Sequence, residues 1–139
     1  FVQFLIVTPL LKAHKLGKVH SRELNLFAPR VLKADNDNKN FCLAQHDLLQ
    51  PFKEQVHVIR AMNVLNSSYF SDIEFAKVLE NLHSGLKDGG LLIVGSNQAS
   101  GTVVHGGIYK KTPKGFQKIY QSGDGVAIDQ LLLKFREVS

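Results

Sequence analysis

Cysteine is nearly absent from this sequence. It occurs once in 139 residues, as Cys42, which excludes an internal disulfide and leaves any zinc site dependent on histidines for most of its ligands. The thiol lies in the apolar stretch Phe41-Cys42-Leu43, a pattern typical of a buried residue rather than a catalytic nucleophile. This cysteine content favours a reducing, cytoplasmic setting.

Long apolar runs are missing as well. No run approaches the ~20 residues that span a bilayer, and the most apolar stretch, Phe1 to Val7, is interrupted by Gln3 and closed by Thr8-Pro9. Neither a basic region nor a small-residue cleavage site flanks this stretch, so it does not match a signal peptide. We therefore expect no membrane segment.

Two kinds of chemistry lack their usual residue patterns. The sequence has no Gly-x-Ser-x-Gly motif and no recognisable Ser/His/Asp set, which argues against a hydrolase. Five of the histidines are not spaced like metal ligands, so we expect no metal site. These five are His14, His20, His46, His57 and His83.

What is present is the composition of an ordinary globular domain, with 44% hydrophobic and 21% charged residues. The net charge of +5 is compatible with an anionic partner such as nucleic acid. The basic residues are densest from Lys12 to Arg22 and from Lys110 to Lys118, without the interleaved aromatics of a base-stacking surface. We predict a solvated surface, with nucleic-acid binding as the alternative.

Residues 1–38 are predicted to form a helical lead-in or insertion. The segment from Phe1 to His14 could be a buried strand or a buried helix, and its basic end favours the helix. A second helix is predicted from Ser21, its N-cap, to Ala34, and Pro29 is expected to kink it or to end its first part. Asp35-Asn36-Asp37-Asn38 is a turn-forming cluster.

The middle of the chain, residues 41–95, is predicted to be a core of alternating strands and helix. Ser71 and Glu74 have the spacing of a capping box, which predicts a helix from about Asp72 to Leu86, and Gly89-Gly90 is expected to end it. The predicted strands around this helix are Phe41 to His46, Val56 to Met62 and Leu91 to Gly95.

Residues 101–139 are predicted to add antiparallel strands. Val103 to Lys111 and Phe116 to Gln121 are linked by the turn Thr112-Pro113-Lys114-Gly115, and Asp129 to Phe135 is predicted as the last strand. The whole pattern predicts a single, partial α/β domain with a mixed sheet.

Three segments in this order carry a family resemblance: HDLLQPF at 46–52, VHVIRAMNVLN at 56–66 and LHSGLKDGGLLIV at 82–94. Together they resemble the later motifs of the class I (Rossmann-like) S-adenosylmethionine-dependent methyltransferases. The resemblance implies S-adenosylmethionine as cofactor, a methyl acceptor that the motifs do not name, and a mostly parallel sheet with an antiparallel C-terminal hairpin.

The resemblance also implies cofactor-binding residues. Asp47 would accept a hydrogen bond from the adenine amino group and Leu48 would pack on the ring, although Asp47 could instead cap a turn. Arg60 and Asn63 would lie beside the methionine part of the cofactor, or Arg60 could pair with a local acid and Asn63 could be a turn residue. His105, in a glycine-rich bend, is a candidate general base or a surface-loop histidine.

One string disfavours a DNA amino-methylating enzyme. Members with that activity carry an Asn/Asp-Pro-Pro-aromatic tetrapeptide after the strand that corresponds to Val56 to Met62. In this sequence the nearest string, Asn66-Ser67-Ser68-Tyr69, lacks both prolines. Tyr69 and Phe70 are expected to cover the core.

The family's main cofactor-binding motifs do not occur before Phe41. The family uses a G-x-G-x-G loop after its first strand and an acidic residue ending its second, whereas this region has only one glycine, Gly17. The first two strands are therefore expected to be absent, and without them we expect the chain to be inactive by itself. The initial Phe1, in place of Met, suggests a fragment or a processed product.

Two other functions remain open. One is a non-catalytic α/β interaction module whose basic surface contacts RNA or another anion, and the other is a different nucleotide-binding Rossmann-like enzyme. Cofactor binding would distinguish the methyltransferase from the interaction module. Salt-sensitive RNA binding would favour the interaction module. Preference for a nicotinamide or nucleotide would favour the other Rossmann-like enzyme. The oligomeric state is left open.

Overall fold

The computed structural model describes residues 15–17, 28–97 and 104–135. The predicted element from Phe1 to His14 and the predicted N-cap Ser21 lie outside these ranges. The chain divides into two compact units, Phe1–Ala44 and Gln45–Ser139. In the part of the chain that the structure describes, no helix has the length and apolar character needed to cross a membrane.

The first unit contains helix α1, Pro29–Asp37. Pro29 begins this helix and does not kink it, because proline has no N–H to satisfy and its fixed φ suits the first helical position. The predicted first part of the helix, from Ser21, lies outside the described residues. The helix also continues past Ala34 through Asp37, where a turn was predicted. It ends at Asn38, whose N–H donates to the Ala34 carbonyl at 3.0 Å.

The predicted strand from Phe41 to His46 does not form. No other strand of the described residues pairs with this segment, and Phe41 is 39% exposed. The Leu43 N–H instead donates to the Asp35 carboxylate at 2.7 Å. A local side-chain contact thus satisfies this backbone group, in place of the backbone hydrogen bonds to a neighbouring strand that a sheet provides. Cys42 is exposed, which corrects the prediction that it is buried.

The second unit is built on a four-stranded sheet in the order β1-β2-β3-β4. The predictions for β1, β3 and β4 are confirmed, but the sheet is not mostly parallel, since only β1 and β2 run parallel among its three pairings. A parallel crossover needs a dozen or more residues. The connection at 98–103 and the turn before β4 are shorter, which is consistent with the antiparallel pairing of β3 and β4 with the strands before them. The strands are β1 (Val56–Met62), β2 (Leu86–Asn97), β3 (Val104–Thr112) and β4 (Gly115–Ser122).

Helix α2, Asp72–Gly85, connects β1 to β2. Its predicted capping box is confirmed, because the Ser71 N–H donates to Glu74 Oε2 at 2.8 Å and the Glu74 N–H donates to Ser71 Oγ at 3.4 Å. The helix ends at Gly85, earlier than predicted. The predicted stop, Gly89-Gly90, lies inside β2, where the register jumps from Leu86 to Leu91 and Gly89 has a φ of 73°.

Helix α3, Asp129–Lys134, replaces the last predicted strand. Ile128 and Leu132, four residues apart, are 1% and 0% exposed, so the segment buries side chains at helical spacing. Both residues belong to the core of the second unit. That core also contains Phe75, Val78, Leu79, Leu82, Leu86, Leu92, Val94, Tyr109 and Phe116.

Candidate functional site

A cavity of about 290 Å³ lies where β1 and β2 end together. Met62, the last residue of β1, is paired with Gly95 near the end of β2. The carboxyl ends of strands in an open α/β sheet are where such folds bind ligands. We call this space the carboxyl-edge cavity. Its lining residues are Asn63, Leu65, Asn66, Tyr69, Val94, Gly95, Ser96, Val126 and Ala127.

Asn63 forms the corner at which the chain leaves β1. Its φ is 59°, a left-handed conformation that asparagine adopts more readily than most residues. Its N–H donates to the Gly95 carbonyl at 2.9 Å, so the corner is fixed to β2. The structure thus places the predicted site residue Asn63 in the cavity.

A 3₁₀ turn, Ser67–Tyr69, forms the second side of the cavity. Asn66 Oδ1 accepts hydrogen bonds from the Ser68 N–H at 3.0 Å and from Ser68 Oγ at 2.9 Å. Tyr69 is 68% exposed beside the cavity, whereas Phe70 packs against the core. The prediction that both aromatics cover the core is therefore wrong for Tyr69.

The third side is residues 123–128, which we call the wall segment. It includes the cavity residues Val126 and Ala127 and connects β4 to α3. The Gly125 N–H donates to the Ser122 carbonyl at 3.1 Å.

Asp129, directly after the wall segment, is held by two side chains. The Tyr109 hydroxyl donates to Asp129 Oδ1 at 2.6 Å and Lys118 Nζ donates to Oδ2 at 3.0 Å. Burial acts to raise the pKa of Asp129, but the hydrogen bonds from Tyr109 and Lys118 and the charge of Lys118 hold it below its usual value. The pKa of Tyr109 is strongly raised by burial, by its hydrogen bond to Asp129 and by that carboxylate's charge.

His105 lies on β3 opposite Ser96 and is outside the residues that line the cavity. Its Nδ1 accepts a hydrogen bond from the Asp124 N–H at 3.0 Å, and Nδ1 is 3.3 Å from the Asp124 carboxylate. In the neutral ring this leaves the proton on Nε2. The geometry thus assigns His105 a contact to the wall segment, and its role as a general base stays a prediction.

Asp47 lies in an exposed turn. Its Oδ1 accepts from the Leu49 N–H at 2.9 Å, and its carbonyl accepts from the Gln50 N–H at 2.9 Å. Leu48 is half-buried against the core, and its carbonyl accepts a hydrogen bond from the buried Asn81 side chain at 2.9 Å. The turn-capping alternative for Asp47 is thus present, and it leaves the second carboxylate oxygen without a hydrogen bond from the described residues.

Arg60 does not line the same cavity as Asn63. It is exposed on β1, beside a smaller cavity of about 190 Å³ that Met62, Ile93 and Tyr120 also line. Among the described residues, no carboxylate lies within ion-pairing distance of Arg60. The two cavities share Val94 and Gly95 in their linings, so Arg60 and Asn63 line two different cavities beside the same part of β2.

Sequence reasoning missed several cavity residues. Ser96 could have been found, because it closes the apolar run of β2 just as Asn63 closes β1. Val126 and Ala127 have no local signal, since only tertiary contacts bring them to the carboxyl edge. Within the described ranges, no cluster of three or more His, Cys, Asp or Glu side chains could hold a metal ion.

A comparison with protein families finds that part of this chain matches a family model. The family model described as CheR methyltransferase, SAM binding domain, matches residues 30–106, which is more than half of the chain. The matched range contains β1, α2, β2 and the start of β3. Neither the curated proteins nor the solved structures include a significant match.

Proposed function

The chain belongs to the CheR methyltransferase SAM-binding domain family, and we propose on that basis that its carboxyl-edge cavity holds the methionine end of the cofactor. Family membership makes S-adenosylmethionine that cofactor and methyl transfer the reaction at family level. The finer assignment, which residues bind it, is the proposal.

The lining of the carboxyl-edge cavity supports this assignment. Asn63, Asn66 and Ser96 are uncharged polar residues that can donate hydrogen bonds to a carboxylate and accept them from an ammonium, the two groups of the methionine end. Leu65, Val94 and Val126 supply the apolar part of the lining. The residues present therefore fit this end of the cofactor, and that fit, at the carboxyl edge of β1 and β2, is the observation that carries the proposal.

For the adenine end we propose Asp47 and Leu48. The Asp47 carboxylate keeps one oxygen available beyond its turn contact, and Leu48 presents a partly buried apolar side chain beside it. Arg60 has less support as a cofactor ligand, because it does not line the carboxyl-edge cavity that contains Asn63. It remains a candidate for a ligand carboxylate that approaches from the 190 Å³ cavity.

The bound cofactor supplies an activated methyl group. The contribution of this chain is placement, since fixing the reacting groups side by side removes much of the entropic barrier. Where the acceptor must lose a proton, His105 is the candidate base, and it would first have to release Asp124.

The proposal is tested by titrating the purified chain with S-adenosylhomocysteine by calorimetry. We expect heat of binding, and Asn63→Gly should weaken it about tenfold, the equivalent of one lost hydrogen bond of ~1.4 kcal/mol. Glycine preserves the left-handed backbone at this corner, so this variant removes the side chain without forcing a new backbone conformation. Asn40→Gly, at an exposed asparagine outside the cavity, is the matched control.

A second pair of variants tests the adenine end. Asp47→Ala should weaken binding, whereas Asp88→Ala removes a fully exposed carboxylate and should leave binding unchanged. No heat from a well-folded sample would refute the cavity assignment, and equal losses from both aspartate variants would refute the role of Asp47.

The alternative of a basic RNA-contacting surface receives less support. Of the four lysines at 110–118, Lys111 is buried and donates to the Leu86 carbonyl at 2.6 Å, and Lys118 binds Asp129. Two of the positive charges in this group are therefore committed to internal contacts.

A further inference from the structure

One side of the carboxyl-edge cavity is formed by backbone that belongs to no helix or strand. This side is the wall segment, whose Val126 and Ala127 line the cavity. Irregular backbone has no ladder of hydrogen bonds to fix its position. Val126 packs against the core, and its carbonyl accepts the Asp129 N–H at 3.0 Å. The rest of the placement of the wall segment, and with it the shape of the cavity, depends on what holds its two ends.

The end next to α3 is held by a charged group. The carboxylate of Asp129 accepts the Tyr109 hydroxyl at 2.6 Å and Lys118 Nζ at 3.0 Å, so it is bound to both β3 and β4. Tyr109 is fully buried, and the Asp129 side chain is 19% exposed. Hydrogen bonds to an ionised acceptor in such a site are shorter and stronger than neutral ones.

The Tyr109 contact is built into β3. A Cβ atom at Gly107 would lie 2.7 Å from the Tyr109 hydroxyl oxygen and 2.8 Å from two ring carbons. The tyrosine ring thus lies over the glycine two residues earlier, in a position that a side chain at 107 would occupy. The ring can reach Asp129 because position 107 has no side chain.

The end next to β4 is held by backbone N–H groups, and the carboxylate of Asp124, whose side chain is 89% exposed, lies 3.3 Å from His105 Nδ1. The Asp124 N–H donates to His105 Nδ1 at 3.0 Å and the Gly125 N–H donates to the Ser122 carbonyl at 3.1 Å. Gly123 turns the chain with a φ of 56°. Of the two ends, the one at Asp129 combines charge and burial, and it is adjacent to the buried Ile128.

We infer that Asp129 is a positioning residue of the carboxyl-edge cavity: by binding Tyr109 and Lys118 it fixes the wall segment and so sets the affinity of the cavity for its ligand without touching that ligand. The identity of the ligand rests on the function proposed above. The placement of the wall does not.

Methyl NMR spectra of the unliganded chain test the placement. Asp129→Asn keeps the shape of the side chain but removes its charge and replaces one acceptor oxygen by an NH₂ group, and Tyr109→Phe removes one hydroxyl. Both variants should shift or broaden the Val126 and Ala127 methyl resonances and leave that of Val78, buried on α2, in place. Unchanged Val126 and Ala127 resonances in both variants would overturn the inference.

Ligand affinity separates positioning from general stability. Titrated with S-adenosylhomocysteine at a temperature where every variant is folded, Asp129→Asn and Tyr109→Phe should bind about tenfold more weakly. Leu82→Ala, which weakens the core on α2 away from the cavity, should bind within about twofold of the parent chain. Equal loss in Leu82→Ala would overturn the positioning role. If the parent chain binds no S-adenosylhomocysteine, the proposed function fails, and the methyl spectra alone decide whether Asp129 holds the wall.

Discussion

The β1–α2–β2 part of the second unit and its C-terminal part, β3–β4–α3, are held by different kinds of contact. The first is held mainly by apolar side chains of α2, among them Val78 and Leu82, buried at 0% and 1% exposure. The second also depends on internal polar contacts, in which Tyr109 and Lys118 bind Asp129. Hydrogen bonds are directional, whereas the hydrophobic effect is not, so the polar part is better suited to fix a cavity wall.

The largest expected effect is in the apolar part. Leu82→Ala should lower the free energy of unfolding by about 3 kcal/mol, because it removes buried methyl groups and leaves a cavity. Urea denaturation followed by circular dichroism measures this. A loss below about 1 kcal/mol would mean that α2 repacks easily and that the apolar part is not the more strongly held of the two.

An intermediate effect is expected in the polar part. Tyr109→Phe should cost about 1.5 kcal/mol, since it deletes the hydrogen bond to a charged acceptor and preserves the ring. The same urea measurement applies, with Tyr120→Phe, at a 58% exposed tyrosine of β4, as the control that should change little. If Tyr109→Phe and Tyr120→Phe lowered the free energy of unfolding equally, the polar contact of Tyr109 would not stabilise the C-terminal part, and the distinction between the two parts would be lost.

The smallest effect is the dependence of stability on pH. The folded-state pKa of Asp129 is lowered, so its contribution is present above the usual carboxyl range of about 4 and is lost as the pH falls through its folded value. Glu74 contributes in the same direction, since the backbone and side-chain hydrogen bonds of Ser71 lower its pKa. Acid titration of unfolding free energy should therefore be shallower in Asp129→Asn, and identical slopes would contradict this assignment.

Local signals explain what the sequence predicted well. β1 was placed correctly from its apolar residues, and the start of α2 from Ser71 and Glu74, whose spacing alone specifies reciprocal capping. The antiparallel β3 and β4 followed from the turn residues between them. Each of these elements is encoded within a few neighbouring positions.

The incorrect predictions concern segments whose structure is determined by contacts with residues distant in the sequence. The run Leu131-Leu132-Leu133 suits a strand or a helix, and burial of Ile128 and Leu132 on one side selected the helix. Phe41 to His46 has the composition of a strand but no partner strand in the described sheet. At the site, Asn63 was predicted because the family resemblance implies that its loop lies beside the methionine part of the cofactor. The wall segment could not be predicted, because only tertiary contacts bring it to the cavity.

The ring of Tyr109 lies over Gly107, so the residues at these two positions constrain each other. While the tyrosine is present, a Cβ atom at 107 would lie 2.7 Å from its hydroxyl oxygen and 2.8 Å from two ring carbons. A larger residue at 107 therefore requires the ring at 109 to move or to be replaced by a smaller side chain. Substitutions at these two positions of the strand are thus expected to occur together.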